Sequence, residues 1–158
     1  MNFGDAVGEG FFNYANFGGR AARAEYWWWA LFAAAVVLVA YVLDLLVFGG
    51  WSIAPFLLVC WLALLLPGLS VTVRRLHDTG RSGWWILIPT GLAFLASALT
   101  IGGVTLSPQE TPPTGLLLVI GLSMIICIGS SILLLVWMCL PSVPGNNEYG
   151  PNRYAGGG

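Results

Sequence analysis

Lysine is absent from this sequence, and charge of either sign is scarce: six arginines, seven acids and one histidine. Charged residues are 8% of the chain, where a soluble domain carries about 25%. Hydrophobic residues reach 58% and mean hydropathy is +0.83. A fold of this size in water could not cover so much apolar side chain, so a soluble protein is excluded and an integral membrane protein is expected. Formal net charge is only −1, so the placement of the charges matters more than their sum, and no nucleic-acid partner is expected. Cysteine is sparse as well. Cys60, Cys127 and Cys139 all lie in apolar runs; the odd count builds no closed disulfide framework, and the spacing suits no metal. No cofactor is expected. The stretch MNFGDAVGEGFFNYANF lacks both a basic segment and a continuous apolar one. A cleaved signal peptide is therefore not expected, and the first apolar span is read as an uncleaved anchor.

What the chain has in quantity is long apolar runs. A spanning helix needs about 20 mostly apolar residues, and four segments qualify: 26–48, 53–73, 84–101 and 116–140. The first two are joined by GGWS, the last two by the Gly-, Pro- and Thr-rich GGVTLSPQETPPTG, which must lie outside the hydrocarbon. The reading is a single all-α membrane domain with four transmembrane helices, an N-terminal segment over 1–19 and a tail over 141–158. Arg20 and Arg23 precede the first span, Arg74, Arg75 and Arg81 fall between the second and third, and Arg153 follows the fourth. With arginine kept on the cytoplasmic side, both termini and the 74–83 loop are expected in the cytoplasm of a bacterial inner membrane.

Tryptophans cluster at the expected boundaries: Trp27, Trp28 and Trp29 open the first span, Trp84 and Trp85 open the third, and Trp51 marks the outer end of the first hairpin. All six are read as interfacial anchors, ring in the bilayer and N–H near the headgroups. Ser123, Cys127 and Ser131 in the fourth span, and Ala30 and Ala34 in the first, offer small faces for helix packing. Asp44 lies about 27 Å along a helix from Tyr26, which places it at the outer interface. No Lys, Arg, His or Glu sits deep in a span, which counts against an ion-coupled transporter.

Three polar stretches are expected on the cytoplasmic face. In NYANFGGRAARAEYWWW, residues 13–29, Asn16 is placed to cap a helix and Gly18-Gly19 to turn the chain. With a helix starting near Arg20, Arg20, Arg23 and Trp27 share one face. Glu25 then finds no base along its own helix. A carboxylate at a membrane boundary needs a partner, so Glu25 is expected to pair with an arginine of the 74–81 stretch. In RRLHDTGRSGWW, residues 74–85, Pro67-Gly68 is expected to bend the helix just upstream, Arg74 and Asp78 to pair four residues apart, Thr79-Gly80 to end the helix and Ser82 to cap the next. Arg74, Arg75 and Arg81 are also the residue type that holds a phosphate or lipid headgroup. The GRSG turn lacks the spacing and lysine of a Walker loop. His77 and Asp78 are neighbours about 100° apart on a helix, poorly set as a catalytic pair, and no nucleophile motif accompanies them; no enzyme is expected. In CLPSVPGNNEYGPNRYA, residues 139–155, Tyr149, Arg153 and Tyr154 are placed to fold a turn-rich tail back on the same face. Upstream, Phe3, Val7, Phe11 and Tyr14 form an apolar stripe at helical spacing, a short amphipathic helix that suits either the membrane surface or burial against the protein.

Together NFGGRAARAEYWWW, RRLHDTGRSGWW and PGNNEYGPNRY resemble the bacterial inner-membrane family called domain of unknown function 805, in order and spacing, from about Phe11 to Arg153. The resemblance implies a small four-span inner-membrane protein and no activity or cofactor. Asp5 and Glu9 stand where the family often has lysines, and Glu148 where its tail often has a base. The leading functional expectation is a non-enzymatic membrane module. Its cluster of Arg20, Arg23, Glu25, Arg74, Arg75, His77, Asp78 and Arg81 either binds an anionic lipid headgroup, a small anion or a partner protein, or clamps the bundle internally. The alternative is an oligomeric channel or transporter for a small solute. The bilayer, and a second copy or another membrane protein, are the expected partners.

Overall fold

A computed structural model describes residues 1–49, 54–106 and 114–152. The named elements are helices: α1 (Phe3–Phe12), α2 (Arg23–Phe48), α3 (Pro55–Asp78), a 3-10 turn (Gly83–Ile86), α4 (Leu87–Leu106) and α5 (Thr114–Cys139). Four of the helical segments, Arg23–Phe48, Pro55–Asp78, Gly83–Gly102 and Thr114–Cys139, are long and apolar enough to cross a membrane. The chain divides into two compact units, Trp84–Cys139 and the remainder. Trp51, Glu110, Arg153 and Tyr154 fall outside the described residues.

Local chemistry sets the helix ends. Asn2 caps α1 in a reciprocal box with Asp5, each side chain accepting from the other's backbone N–H at 2.8 and 3.2 Å, so two exposed donors are satisfied. Asn16 is not the cap expected of it: its Oδ1 accepts from Gly18 N, and Ala22 precedes α2 with no side-chain cap. Helix α2 accordingly starts at Arg23, and Arg20 lies outside it. Gly49, at φ 65°, closes the far end of α2. The end of α3 is a Schellman turn in which Gly80, at φ 72°, donates to His77 O and Arg81 N donates to Leu76 O at 2.9 Å; only the left-handed residue Gly80 lets both bonds form.

Two hydrogen bonds to one carboxylate hold the α2–α3 hairpin. Asp44, 5% exposed, accepts from Phe56 N at 3.0 Å and Leu57 N at 2.7 Å. Those donors belong to the first turn of α3 and have no partner within the helix, so Asp44 is a cap supplied from the neighbouring helix, near the end of α2 that the sequence assigns to the outer boundary. Pro67 lies inside α3, and the helix continues through Pro67-Gly68 to Asp78. A proline has no N–H, so the carbonyl four residues earlier loses its bond. That carbonyl is Ala63 O, and it accepts from the Tyr14 hydroxyl at 2.9 Å.

The seam of α2 runs through Glu25, Trp29, Ala40 and Asp44. Trp29 is therefore buried, 3% exposed, where an interfacial anchor was expected; Trp27 and Trp28 are 42% and 38% exposed. Helix α1 makes this burial possible. A Cβ at position 10 would overlap the Trp29 ring, so Gly10 lets the α1 backbone lie directly on the indole. Phe11 meets Trp29 and Phe32 edge-on, and Phe3 meets Trp28 in the same way. Ala34 is exposed, so the small face expected at Ala30 and Ala34 is not the seam.

In the second unit α4 packs on α5, with Trp85 against Trp137 and the Cys127 thiol donating to Pro89 O at 3.5 Å. Trp84 and Trp85 are exposed, 76% and 42%. Ser123 is buried and Cys127 half-buried, but Ser131 is exposed. A 3.6-residue turn rotates a strict four-residue repeat off the contact face.

Candidate functional site

The cluster forms around the last turn of α3. Asp78, 1% exposed, is its centre. One carboxylate oxygen accepts from Arg20 Nε at 2.9 Å; the other accepts from Arg75 Nη1 and from the Ser142 hydroxyl. The two guanidinium groups spend their remaining donors on tail carbonyls. Arg20 Nη1 donates to Gly145 O and Nη2 to Val143 O, both at 2.7 Å, while Arg75 Nη2 donates to Leu140 O. Val143 N donates in return to Asp78 O at 3.0 Å. Arg20 and Arg75 are 5% and 0% exposed. Buried charges are tolerated when paired and fully hydrogen-bonded, and this triad meets both conditions. Chemically it is a clamp: the 20s, the end of α3 and the 140s meet at one carboxylate.

One turn back along α3 sits a second pair. Arg74 Nη1 lies 2.7 Å from Glu25 Oε1, with both side chains buried. Glu25 thus meets an arginine of the 74–81 stretch, as its isolation on α2 required. Arg74 does not pair with Asp78; that contact falls to Arg75, three residues away. The reason is helical phase: Arg74 continues the face of Ser70 and Val71, which is buried, and Ser70 Oγ lies 2.7 and 2.6 Å from Asn13 O and Asn16 O. Ala21 N donates to Arg74 O at 3.0 Å. The Nε and Nη2 groups of Arg74 are buried and bond to no acceptor. They form one edge of the guanidinium, the fork that matches a carboxylate or phosphate.

The other cluster residues take different positions. His77 is half-buried; its Nδ1 lies 3.2 Å from Gly19 O and its ring stacks on Tyr149 at 3.8 Å and 2°. Asn147 Nδ2 donates to His77 O at 2.8 Å. The tail thus folds back through Tyr149, as its aromatic content suggested. A hydrogen bond to Glu148, then burial, then the Glu148 charge push the Tyr149 phenol above its ordinary value of 10.0, against a hydrogen bond with Ser82. Arg81 is half-buried and donates to Thr79 O at 3.0 Å; Arg23 is exposed on the first turn of α2. Among the described residues no three His, Cys, Asp or Glu side chains come together as a metal site.

Sequence reasoning missed Ser142, Asn147, the tail carbonyls and the hydrogen bond of the Tyr14 hydroxyl, whose ring it placed in the apolar stripe. Pro67 was a usable signal, since a proline inside a span always leaves a carbonyl in want of a donor. The tail carbonyls carry no residue-type signal at all.

Comparison with known proteins assigns the chain to a family. Residues 14–151 match the family described as protein of unknown function DUF805. The inner membrane protein YhaI of Escherichia coli K12 is 42% identical over 76 residues, covering 48% of this chain and 63% of the relative. The inner membrane protein YhaH of the same strain is 38% identical over 80 residues, covering 48% and 64%. The uncharacterized protein YiiR is 41% identical over 73 residues, covering 46% and 48%. The matches thus span less than two thirds of these relatives' lengths. No solved structure matches. With four helices fit to cross a membrane and a family match over nearly its whole length, the chain belongs to the DUF805 family of proteins of unknown function.

Proposed function

We propose that this protein is a non-enzymatic inner-membrane module, with both termini in the cytoplasm, that binds the anionic group of a lipid headgroup or a small phosphate-like anion through Arg74. The cluster divides into two parts in this reading. Arg20, Arg75, Asp78 and Ser142 are the internal clamp, since their donors and acceptors serve one another and the tail. Arg74 and Glu25 are the responsive part. The observation that carries the reading is the buried Nε–Nη2 edge of Arg74, which meets no acceptor while the donors of Arg20 beside it do. A buried polar group left without a partner costs about 1–3 kcal/mol, and a charged guanidinium N–H more; an anion on that fork offsets the cost, against the repulsion of the Glu25 carboxylate on the other side of the same guanidinium. The edge is enclosed, so entry requires the 13–22 segment to lift from Ser70 and Arg74, and binding is coupled to the seating of that segment.

Native mass spectrometry of the detergent-solubilised protein tests this, with phosphatidylglycerol, phosphatidylcholine and inorganic phosphate as probes. Retention of phosphatidylglycerol over phosphatidylcholine is expected, with inorganic phosphate competing if the phosphate alone suffices. Arg74→Lys keeps the charge but loses the planar fork and should retain severalfold less, whereas Ser142→Ala should retain as much as the native protein. Equal retention by Arg74→Lys and the native chain would leave Arg74 a purely structural residue.

A further inference from the structure

Helix α1 and the residues after it expose Phe3, Phe11, Phe12, Tyr14 and Phe17, at 44%, 44%, 87%, 38% and 41%. On a helix with 100° per residue, buried Ala6 and Gly10 mark the face on α2. Phe3, Val7 and Phe11 then lie on one flank of that face and Glu9 on the other, with Gly8, Phe12 and Asp5 turned away from the protein, Phe12 about 20° from Asp5. The contacts with α2 and α3 fix how deep each end of α1 lies.

The Glu25–Arg74 pair sets a common level on α2 and α3. From Glu25, Trp28 lies about 4.5 Å along α2 and Phe32 about 10 Å, at 1.5 Å per residue. Phe3 meets Trp28, while Phe11 reaches Phe32. From Arg74, Ser70 lies about 6 Å along α3 and Ala63 about 16 Å; the first meets the backbone of Asn13 and Asn16, the second the hydroxyl of Tyr14. Both scales agree. The Phe3 end of α1 lies about 4.5 Å further along the spans than the ion pair, and the stretch from Phe11 to Tyr14 about 6–16 Å further, so α1 is inclined with its C-terminal end deeper. Helix α2, at 26 residues, is about 39 Å long, longer than a hydrocarbon core of about 30 Å. Trp28 to Phe48 alone covers about 30 Å, so a core beginning at Trp28 leaves Arg23 and Glu25 outside it and α1 at its edge.

We infer that α1 is a bilayer-boundary helix. It lies obliquely at the membrane boundary against α2, with Phe11 and Tyr14 among acyl chains, Phe3 nearer the headgroups, and Gly8 and Phe12 facing away from the protein into lipid. The occupant is the bilayer because this aromatic surface runs directly into the exposed side chains of Trp28 and Leu31 on a spanning helix. The acids Asp5 and Glu9 mean that attraction to anionic lipid is not what holds it; apolar burial is.

Spin labels placed one at a time on the full chain in nanodiscs test the inference, with Cys60, Cys127 and Cys139 replaced by Ala. Gly8→Cys has open space around its Cβ and Phe12→Cys replaces the most exposed of these side chains, so neither disturbs packing. Leu38→Cys, on the outer face of α2, is the lipid reference, and Asn146→Cys, exposed in the tail, is the water reference. The ratio of collision with oxygen to collision with a water-soluble nickel chelate should be severalfold higher at Gly8 and Phe12 than at Asn146, and should approach that at Leu38. A ratio matching Asn146 would put α1 in water. Protection from both reagents would mean that a second copy or another protein covers the helix. Either result overturns the inference.

Discussion

Asp78→Asn is the most incisive single change. The substitution keeps the shape of the side chain and removes its charge. In the native protein that charge receives Arg20 Nε, Arg75 Nη1 and Ser142 Oγ, with both arginines essentially out of solvent. With asparagine, one oxygen becomes an NH2 that points a donor at a donor, and two buried cations face each other with no counter-charge. Breaking a buried pair by changing one partner costs about 3–5 kcal/mol, and the repulsion places this case toward the upper end. Ser142→Ala removes one bond to a charged acceptor and should cost about 1.5–3 kcal/mol. Reversible unfolding in mixed detergent micelles, followed by tryptophan fluorescence, measures both. Hydrogen exchange at Val143 N, which bonds to Asp78 O, reports whether the tail has come loose. A loss under about 1 kcal/mol for Asp78→Asn, with Val143 still protected, would refute the clamp.

Tyr14→Phe leaves the Ala63 carbonyl without a donor inside a span and should destabilise by about 1–3 kcal/mol. Adding Pro67→Ala supplies the missing helical N–H, so the double variant should recover most of that loss; additive losses in the same unfolding assay would separate Tyr14 from Pro67. Asp44→Ala strips the cap from α3 and should cost about 0.5–2 kcal/mol. Asp44→Asn, which keeps one acceptor oxygen, should lose less, and an equal loss in both would mean that the charge and not the cap matters.

The four apolar helices were readable because a membrane demands length and hydrophobicity in one uninterrupted run. The partner of Glu25 was readable for a related reason: an acid at the boundary of a span, with no base on its own helix, has to find one across a helix contact. Which arginine answers was not readable. Arg74 and Arg75 are adjacent, and the phase of α3 against α2 sends Arg74 to Glu25, leaving Arg75 to pair with Asp78 on its own helix. The same phase decides which tryptophan of the YWWW run is buried. Glu25 and Asp44 were both costly to expose, and a seam drawn through the two would have passed through Trp29. The acceptors in the tail were beyond any pattern of residue types, because backbone carbonyls of Leu140, Val143 and Gly145 look the same in every sequence.

Those carbonyls also give the clamp a place in time. Arg20, Arg75 and Asp78 are all synthesised before residue 84, yet their acceptors and donors at Leu140, Ser142, Val143 and Gly145 come only after α5. A growing chain therefore carries two arginines with unfilled donors until its last long helix is complete. The clamp closes last, and only on a chain whose fourth long helix has been made; a copy truncated before Leu140 leaves it open, with its arginine donors turned to water.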